Sequence, residues 1–171
     1  MARNIFLFAL ISIAALLRIS GILPENVNPV AAIALFGGAL FANKVQGLII
    51  PLIIMFLSDL YIGLHDFMIP VYVGFLIIGM IGFSIRKNPS IANALVGAGI
   101  GSTIFFIITN GAVWMASGFY SQDIGGLIDC YIMGLPFFRN TLLGDLIFTG
   151  ILFGAYYAAA YRFPRLTKVK A

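Results

Sequence analysis

The chain has 171 residues, of which 61% are hydrophobic and only 9% are charged, and its mean hydropathy is +1.07. A soluble globular domain carries about 25% charged residues, so this composition excludes that class. The apolar residues form continuous runs without the two-residue alternation of barrel strands, which favours membrane-spanning helices. The sequence therefore predicts an all-α, polytopic membrane bundle that forms one transmembrane domain over residues 1–171.

Six apolar segments are expected to be membrane helices, and one further apolar piece is expected to lie beside them. The six segments cover residues 4–22, 29–42, 46–64, 67–85, 91–116 and 139–161, and the further piece covers 124–138. The stretch that contains this piece is too polar and too interrupted to cross again, so we expect a lid or an interfacial helix there. A signal peptide is disfavoured for the first segment, because only Arg3 precedes it.

The charged residues separate into two groups if every segment crosses the membrane. One side then carries eight basic residues: Arg3, Lys44, Arg86, Lys87, Arg162, Arg165, Lys168 and Lys170. The acidic residues fall toward the other side: Glu25, Asp59, Asp66, Asp123, Asp129 and Asp145. Because loops rich in Lys and Arg stay in the cytoplasm, both termini are expected there. The net charge of +4 is thereby explained without nucleic-acid binding.

The second segment is too short to cross a bilayer alone. It begins with Asn28 as the expected N-cap and Pro29 in the first turn. Its 14 residues span about 20 Å, whereas the hydrocarbon core is about 30 Å thick. The preceding loop "LPENVNP", residues 23–29, is the local candidate to cover the difference. It either lines a wet cavity within the protein or is an ordinary surface loop above a tilted helix.

The fifth and sixth segments each divide into a polar outer half and an inner half with small residues. Asn110 in the fifth segment must face a neighbouring helix or a ligand, because an amide in a membrane helix is costly without a hydrogen bond. Trp114, one turn on, is a weaker indication, since it is also typical of an interfacial anchor. In the sixth segment Thr141, Asp145 and Thr149 form one polar stripe at four-residue spacing.

Four charged residues are expected at similar depth in the membrane: Arg18, Asp59, Arg139 and Asp145. A charge there costs about 2.5–3.5 kcal/mol on insertion scales, so each needs a partner, a cavity or a ligand. They either form ion pairs between helices or surround a polar ligand. The predicted substrate site comprises Asn28, Asp59, Tyr72, Asn110, Trp114, Arg139 and Asp145.

Metal, cofactor and catalytic sites are not expected. His65 is the single histidine, which disfavours a zinc site, and we assign it with Asp66 to a capping or solvated turn. Cys130 is expected to be a small buried apolar residue. An intramembrane enzyme would have to rely on a carboxylate dyad of Asp59 and Asp145.

Four stretches together resemble a bacterial family of membrane transport proteins whose function is not established. They are "NPVAAIALFGGALF", "PLIIMFLSDLYIGLH", "FFIITNGAVW" and "GLIDCYIMGLPFFRNTLLGDLIF", within roughly residues 15–155. That family is in turn similar to the substrate-binding S components of energy-coupling factor (ECF) transporters. The resemblance implies a six-helix bundle in the bacterial inner membrane that binds a vitamin, a cofactor precursor or a metal ion from outside. It also implies a lid made by the loop between helices 1 and 2 and by later outer loops.

The same resemblance implies partners, namely a T subunit and two ATPase subunits. The chain itself has no Walker-type sequence, so any ATP would be used by those partners. The alanine pair four residues apart through which S components commonly dock is absent, since Ile13 follows Ala9 at that spacing. The predicted function is uptake of a small polar solute; the alternatives are a structural or assembly membrane protein and a proton-coupled secondary transporter.

Overall fold

A computed structural model describes residues 2–166, and over that range the chain is all-helical. The helices are α1 (Ala2–Ile19), α2 (Val30–Leu40), α3 (Lys44–Ile62), α4 (Met68–Ile85), α5 (Ile91–Ala116) and α6 (Ile124–Arg162), followed by a 3-10 turn, Pro164–Leu166. No strand occurs among these described residues. The prediction of an all-α bundle is confirmed. Lys168 and Lys170 lie outside the described residues.

Four of the helices are long and apolar enough to cross a membrane, namely α3, α4, α5 and α6. Their outward faces carry large, exposed apolar side chains, such as Ile53, Val96 and Ile147, which are 52%, 62% and 56% exposed. Helices that are apolar on all sides require lipid around the bundle. The chain is therefore a membrane protein whose exposed helix faces contact lipid.

The short helix α2 lies in the centre of the bundle. All 11 of its residues are buried, and it contacts α1, α3, α4, α5 and α6. At 1.5 Å per residue it is about 17 Å long, so both of its ends lie within the protein. The expectation of a short second helix is confirmed, and the segment is shorter than the predicted 29–42.

Two arginines hold the carboxyl end of α2. Arg3 Nη2 donates to the carbonyl oxygen of Leu40 at 2.5 Å, and Arg86 Nε donates to that of Gly38 at 2.7 Å. Arg86 also donates to the carbonyl oxygens of Phe41 and Ala42. The last carbonyl groups of a helix have no partner within the helix and carry partial negative charge. The two guanidinium groups satisfy them inside the bundle.

The segments predicted as 124–138 and 139–161 form one continuous helix, α6, of 39 residues. The expected separate lid or interfacial helix is instead the first part of α6. Pro136 lies inside the helix, where it removes one backbone hydrogen bond without ending the helix. Asp123 caps the helix start: it accepts a hydrogen bond from the Gly126 N–H at 2.7 Å, which lowers the pKa of its carboxyl group.

Candidate functional site

A polar cavity of about 320 Å³ lies at the amino end of α2. Its walls come from Arg18 of α1, the loop at residues 20–29, the first turn of α2, the turn between α3 and α4, and helices α4, α5 and α6. The polar lining consists of Arg18, Asn26, Asn28, His65, Thr109, Thr141 and Asp145, and the apolar lining of Val30, Ala31, Val71, Phe75 and Phe105. This cavity is the candidate functional site.

A second cavity of about 220 Å³ adjoins the first. Both share Asn26, Phe105, Thr109 and Thr141 as lining residues. The second cavity adds one amide and three aromatic rings: Asn110, Phe106, Phe137 and Phe138. The second cavity therefore lies beside the first, between α5 and α6.

The loop at residues 20–29 contributes Asn26 and Asn28 to the cavity lining and packs on α6. The backbone of Val27 lies so close to Gly144 that a Cβ atom there would be 3.2 Å from the Val27 Cα. Asn140 Nδ2 donates to the Glu25 carbonyl oxygen at 3.3 Å. Asn26 adopts a left-handed conformation, with φ of 62°, which asparagine tolerates better than most residues. The loop "LPENVNP" combines features of both alternatives, since Asn26 and Asn28 line the cavity while residues 24–26 are exposed.

The first turn of α2 opens on this cavity. The N-cap position is Pro29, one residue after the expected Asn28, and Asn28 Oδ1 accepts a hydrogen bond from the Val30 N–H at 3.1 Å. Val30 and Ala31 both line the cavity. The amino end of a helix carries partial positive charge, because its first N–H groups have no partner within the helix. The cavity therefore has a positive backbone wall on this side.

Asp59 is buried and fully paired. Its Oδ1 lies 2.5 Å from Arg18 Nη2 in an ion pair, and its Oδ2 accepts a hydrogen bond from the Tyr72 hydroxyl at 2.6 Å. Arg18 also donates to Ser58 Oγ and to the Met55 carbonyl oxygen. Asp59 itself does not line the cavity, but Arg18 does. The group therefore links α1, α3 and α4 behind one wall of the site.

Asp145 is equally buried, at 1% exposure, but it has no cationic partner among the described residues. Its Oδ2 lies 2.6 Å from Ser102 Oγ. The same hydroxyl lies 2.8 Å from the Ala98 carbonyl oxygen, and a serine hydroxyl has one proton to donate. One turn further along α6, Thr149 Oγ1 is buried and accepts or donates no hydrogen bond within the described part of the chain.

Asn110 lines the second cavity and packs tightly against α6. Its Nδ2 donates to the Phe106 carbonyl oxygen at 2.9 Å. A Cβ atom added at Gly134 would lie 2.5 Å from Asn110 Oδ1, so the glycine makes room for the amide. Cys130, buried as predicted, donates from Sγ to the Asn110 carbonyl oxygen at 3.3 Å. The amide therefore faces a neighbouring helix and a cavity at the same time.

The seven predicted site residues separate into three groups in the structure. Asn28, Asn110 and Asp145 line the two cavities, and Asp59 and Tyr72 lie behind Arg18. Trp114 and Arg139 line neither cavity. Trp114 Nε1 donates to the Ser121 carbonyl oxygen at 2.9 Å, and Arg139 is exposed, with no ion pair or hydrogen bond to any described residue.

Other cavity residues were missed by the sequence-based site. Thr141 lies on the polar stripe of the sixth segment, and Thr109 directly precedes Asn110 in the fifth, so both positions carried a signal. His65 was assigned to a capping or solvated turn; it is exposed, and its side chain also borders the cavity. Phe75 and Phe105 carried no signal, because a phenylalanine that faces a cavity and one that faces lipid occur in the same kind of apolar segment.

Residues 1–166 match a family described as a family of unknown function. No curated protein and no solved structure matches the chain. The match covers nearly the whole chain, including every helix and every residue of the candidate site. The chain therefore belongs to this family, DUF6580.

Proposed function

We propose that this membrane protein binds a small polar solute and takes part in its uptake, as the S components of ECF transporters do. The observation that carries the proposal is the cavity of about 320 Å³, lined by amide, hydroxyl, imidazole and charged side chains within an apolar helical bundle. Polar groups in a membrane bundle are costly unless they pair with each other or serve a ligand. Seven polar or charged side chains line this one cavity.

The size and the cover of the cavity support this function. Ligand sites for small molecules have volumes of about 300–1,000 Å³, and this cavity lies at the lower end of that range. The loop at residues 20–29 lines it through Asn26 and Asn28 and contacts α6 through Glu25 and Val27. Such a loop is suited to act as a lid over a vitamin or a cofactor precursor.

The proposal extends to the setting in which uptake occurs. The protein would lie in the bacterial inner membrane with both termini in the cytoplasm, so that the cavity faces outward. Energy would come from a T subunit and ATPase subunits. Copurification of such subunits with a tagged chain in mild detergent supports this arrangement. Purification of the intact tagged chain without them contradicts it.

Thermal unfolding in detergent tests solute binding. We expect the Tm to rise with one or more compounds in a screen of vitamins and nucleobases, because a ligand that binds only the folded state stabilises it. Asp145→Asn should abolish the rise. Asp129→Asn is the matched control, because Asp129 is exposed and lines neither cavity. A rise that is unchanged in Asp145→Asn contradicts the assignment of the site.

A structural role is the second candidate, and the pairing of Asp59 favours it for that residue. With both oxygens bonded to Arg18 and Tyr72, Asp59 has no need of a ligand. A purely structural protein predicts that no compound in the screen changes the Tm. Proton-coupled transport is distinguished by uptake that persists after ATP depletion and stops when an uncoupler is added.

A further inference from the structure

Asp145 differs from Asp59 in that it has no cationic partner among the described residues, and this difference indicates which kind of solute the site binds. Both carboxylates are 1% exposed, but Asp59 has the Arg18 guanidinium at 2.5 Å. Asp145 has only the Ser102 hydroxyl, whose single proton also has the Ala98 carbonyl oxygen within reach. A buried carboxylate is normally paired with a cation. Asp145 has no such cation in the part of the chain that the structure describes.

The cavity itself is the place from which a cation can reach Asp145. Asp145 is one of the lining residues, and its Oδ1 accepts no hydrogen bond from any described residue. Arg18 is the one lysine or arginine among the lining residues, and its charge is already balanced by Asp59. The charged lining residues Arg18 and Asp145 balance each other when Asp145 is ionised and His65 is neutral. Asp59 behind Arg18 brings the net side-chain charge of the three to minus one, next to the partial positive charge of the α2 amino end.

The apolar wall indicates what else the ligand carries. Phe75 and Phe105 both line the cavity, with ring centroids 4.8 Å apart and planes tilted by 32°. Faces and edges of aromatic rings attract flat apolar groups, and ring faces attract nearby cations. A ligand that fills the cavity beside Asp145 contacts this pair of rings.

We infer that the solute is a small organic cation: a protonated amine or nitrogen heterocycle whose N–H group donates to Asp145 while its flat body packs against Phe75 and Phe105. This inference rests on the proposed function and specifies the substrate class of the same site. An anion would have to displace Asp59 from Arg18 to gain a full positive partner. A cation can pair with Asp145 without displacing another group, because Asp145 has no cationic partner among the described residues.

Three probes of matched shape test the inference: benzylammonium, benzyl alcohol and benzoate. Their effect on the Tm of the full chain in detergent is measured over a concentration series at neutral pH. We expect benzylammonium to raise the Tm and to bind at least tenfold more tightly than the other two. Equal or stronger binding of benzyl alcohol or benzoate overturns the inference, as does the absence of any shift with benzylammonium.

Two variants connect the effect to Asp145. Hydrogen bonds to a charged group are worth about 1.5–3 kcal/mol, so Asp145→Asn should weaken benzylammonium binding roughly tenfold to a hundredfold. Ser102→Ala keeps the carboxylate and removes its one side-chain partner, so binding should be retained. Ser102→Ala also provides a test if Asp145→Asn does not fold. Loss of binding in Ser102→Ala, or unchanged binding in Asp145→Asn, overturns the inference.

Failure of the cationic substrate class can be distinguished from failure of the proposed function. A neutral or anionic vitamin that raises the Tm, with the rise lost in Asp145→Asn, contradicts the cationic substrate class and leaves the proposed function standing. If the screen and all three probes leave the Tm unchanged, the proposed function and the inference fail together.

Discussion

Asp59 shows how one buried carboxylate connects three helices. Arg18 on α1 and Tyr72 on α4 each bond one of its oxygens, at 2.5 Å and 2.6 Å. The sequence identified the residues involved, because charges and hydroxyls are conspicuous in apolar segments. It left open whether Arg18, Arg139 or a ligand balances the charge. That choice depends on which helices are neighbours, and the spacing within one segment does not determine it.

Replacing Asp59 by asparagine should destabilise the protein strongly. The change leaves the partly buried Arg18 guanidinium, which is 20% exposed, without its counter-ion. Breaking a fully buried pair costs about 3–5 kcal/mol, so the loss here should lie at or below the lower end of that range. Tyr72→Phe removes one hydrogen bond to the carboxylate and should cost about 1.5–3 kcal/mol. Far-UV circular dichroism during heating in detergent measures both effects through the Tm.

Asp66→Asn provides the control for these changes, because Asp66 is exposed in the turn after α3 and forms no ion pair or side-chain hydrogen bond with any described residue. Its Tm should stay at the wild-type value. If Asp59→Asn unfolds at the same temperature as Asp66→Asn, the ion pair does not hold the helices together.

At the scale of elements, α2 determines where the cavity lies. Its 11 buried residues leave space above its amino end, which the loop at residues 20–29 and Asp145 enclose. The shortness of this segment was readable from the sequence, since residues 29–42 are too few to cross a bilayer. The continuity of α6 was not readable, because Pro136 and the polar residues Arg139 and Asn140 interrupt the apolar pattern there. Packing of α6 against α5 holds the helix through this interruption.

Gly38 on α2 is expected to tolerate no side chain. A Cβ atom there would overlap the Gly79 carbonyl oxygen of α4, which belongs to the backbone and has no free rotation to move aside. Small residues of this kind let membrane helices approach closely. Gly38→Ala should therefore lower stability by about 1–3 kcal/mol through overpacking, measured as a fall in Tm.

Gly99→Ala is the matched control on α5, because a Cβ atom at Gly99 meets nothing within 4 Å. Alanine is favoured over glycine in helices by about 1 kcal/mol, so this variant should keep or raise the Tm. A fall in both variants would indicate a general effect of the substitution, and no fall in either would show that α2 and α4 can separate without cost.

Across the whole molecule, the two ends of the bundle differ: one end contains the candidate site and the other contains a group of basic residues. One end holds the cavity and the turn with His65 and Asp66. The other end holds Arg3, Lys44, Arg86 and Lys87, with Arg3 and Arg86 bound to the carboxyl end of α2. Because basic loops stay in the cytoplasm, this polarity supports a cavity that opens to the outside, as uptake requires.

Cysteine labelling in intact bacterial cells tests this orientation. Cys130→Ala removes the single native thiol, and Asp66→Cys or Lys87→Cys then places one exposed thiol at each end of α4. A membrane-impermeant maleimide should label Asp66→Cys in intact cells and Lys87→Cys only after permeabilisation. The reverse pattern would mean that the cavity opens to the cytoplasm, where a cationic solute could leave the cell through this site but could not be captured from outside.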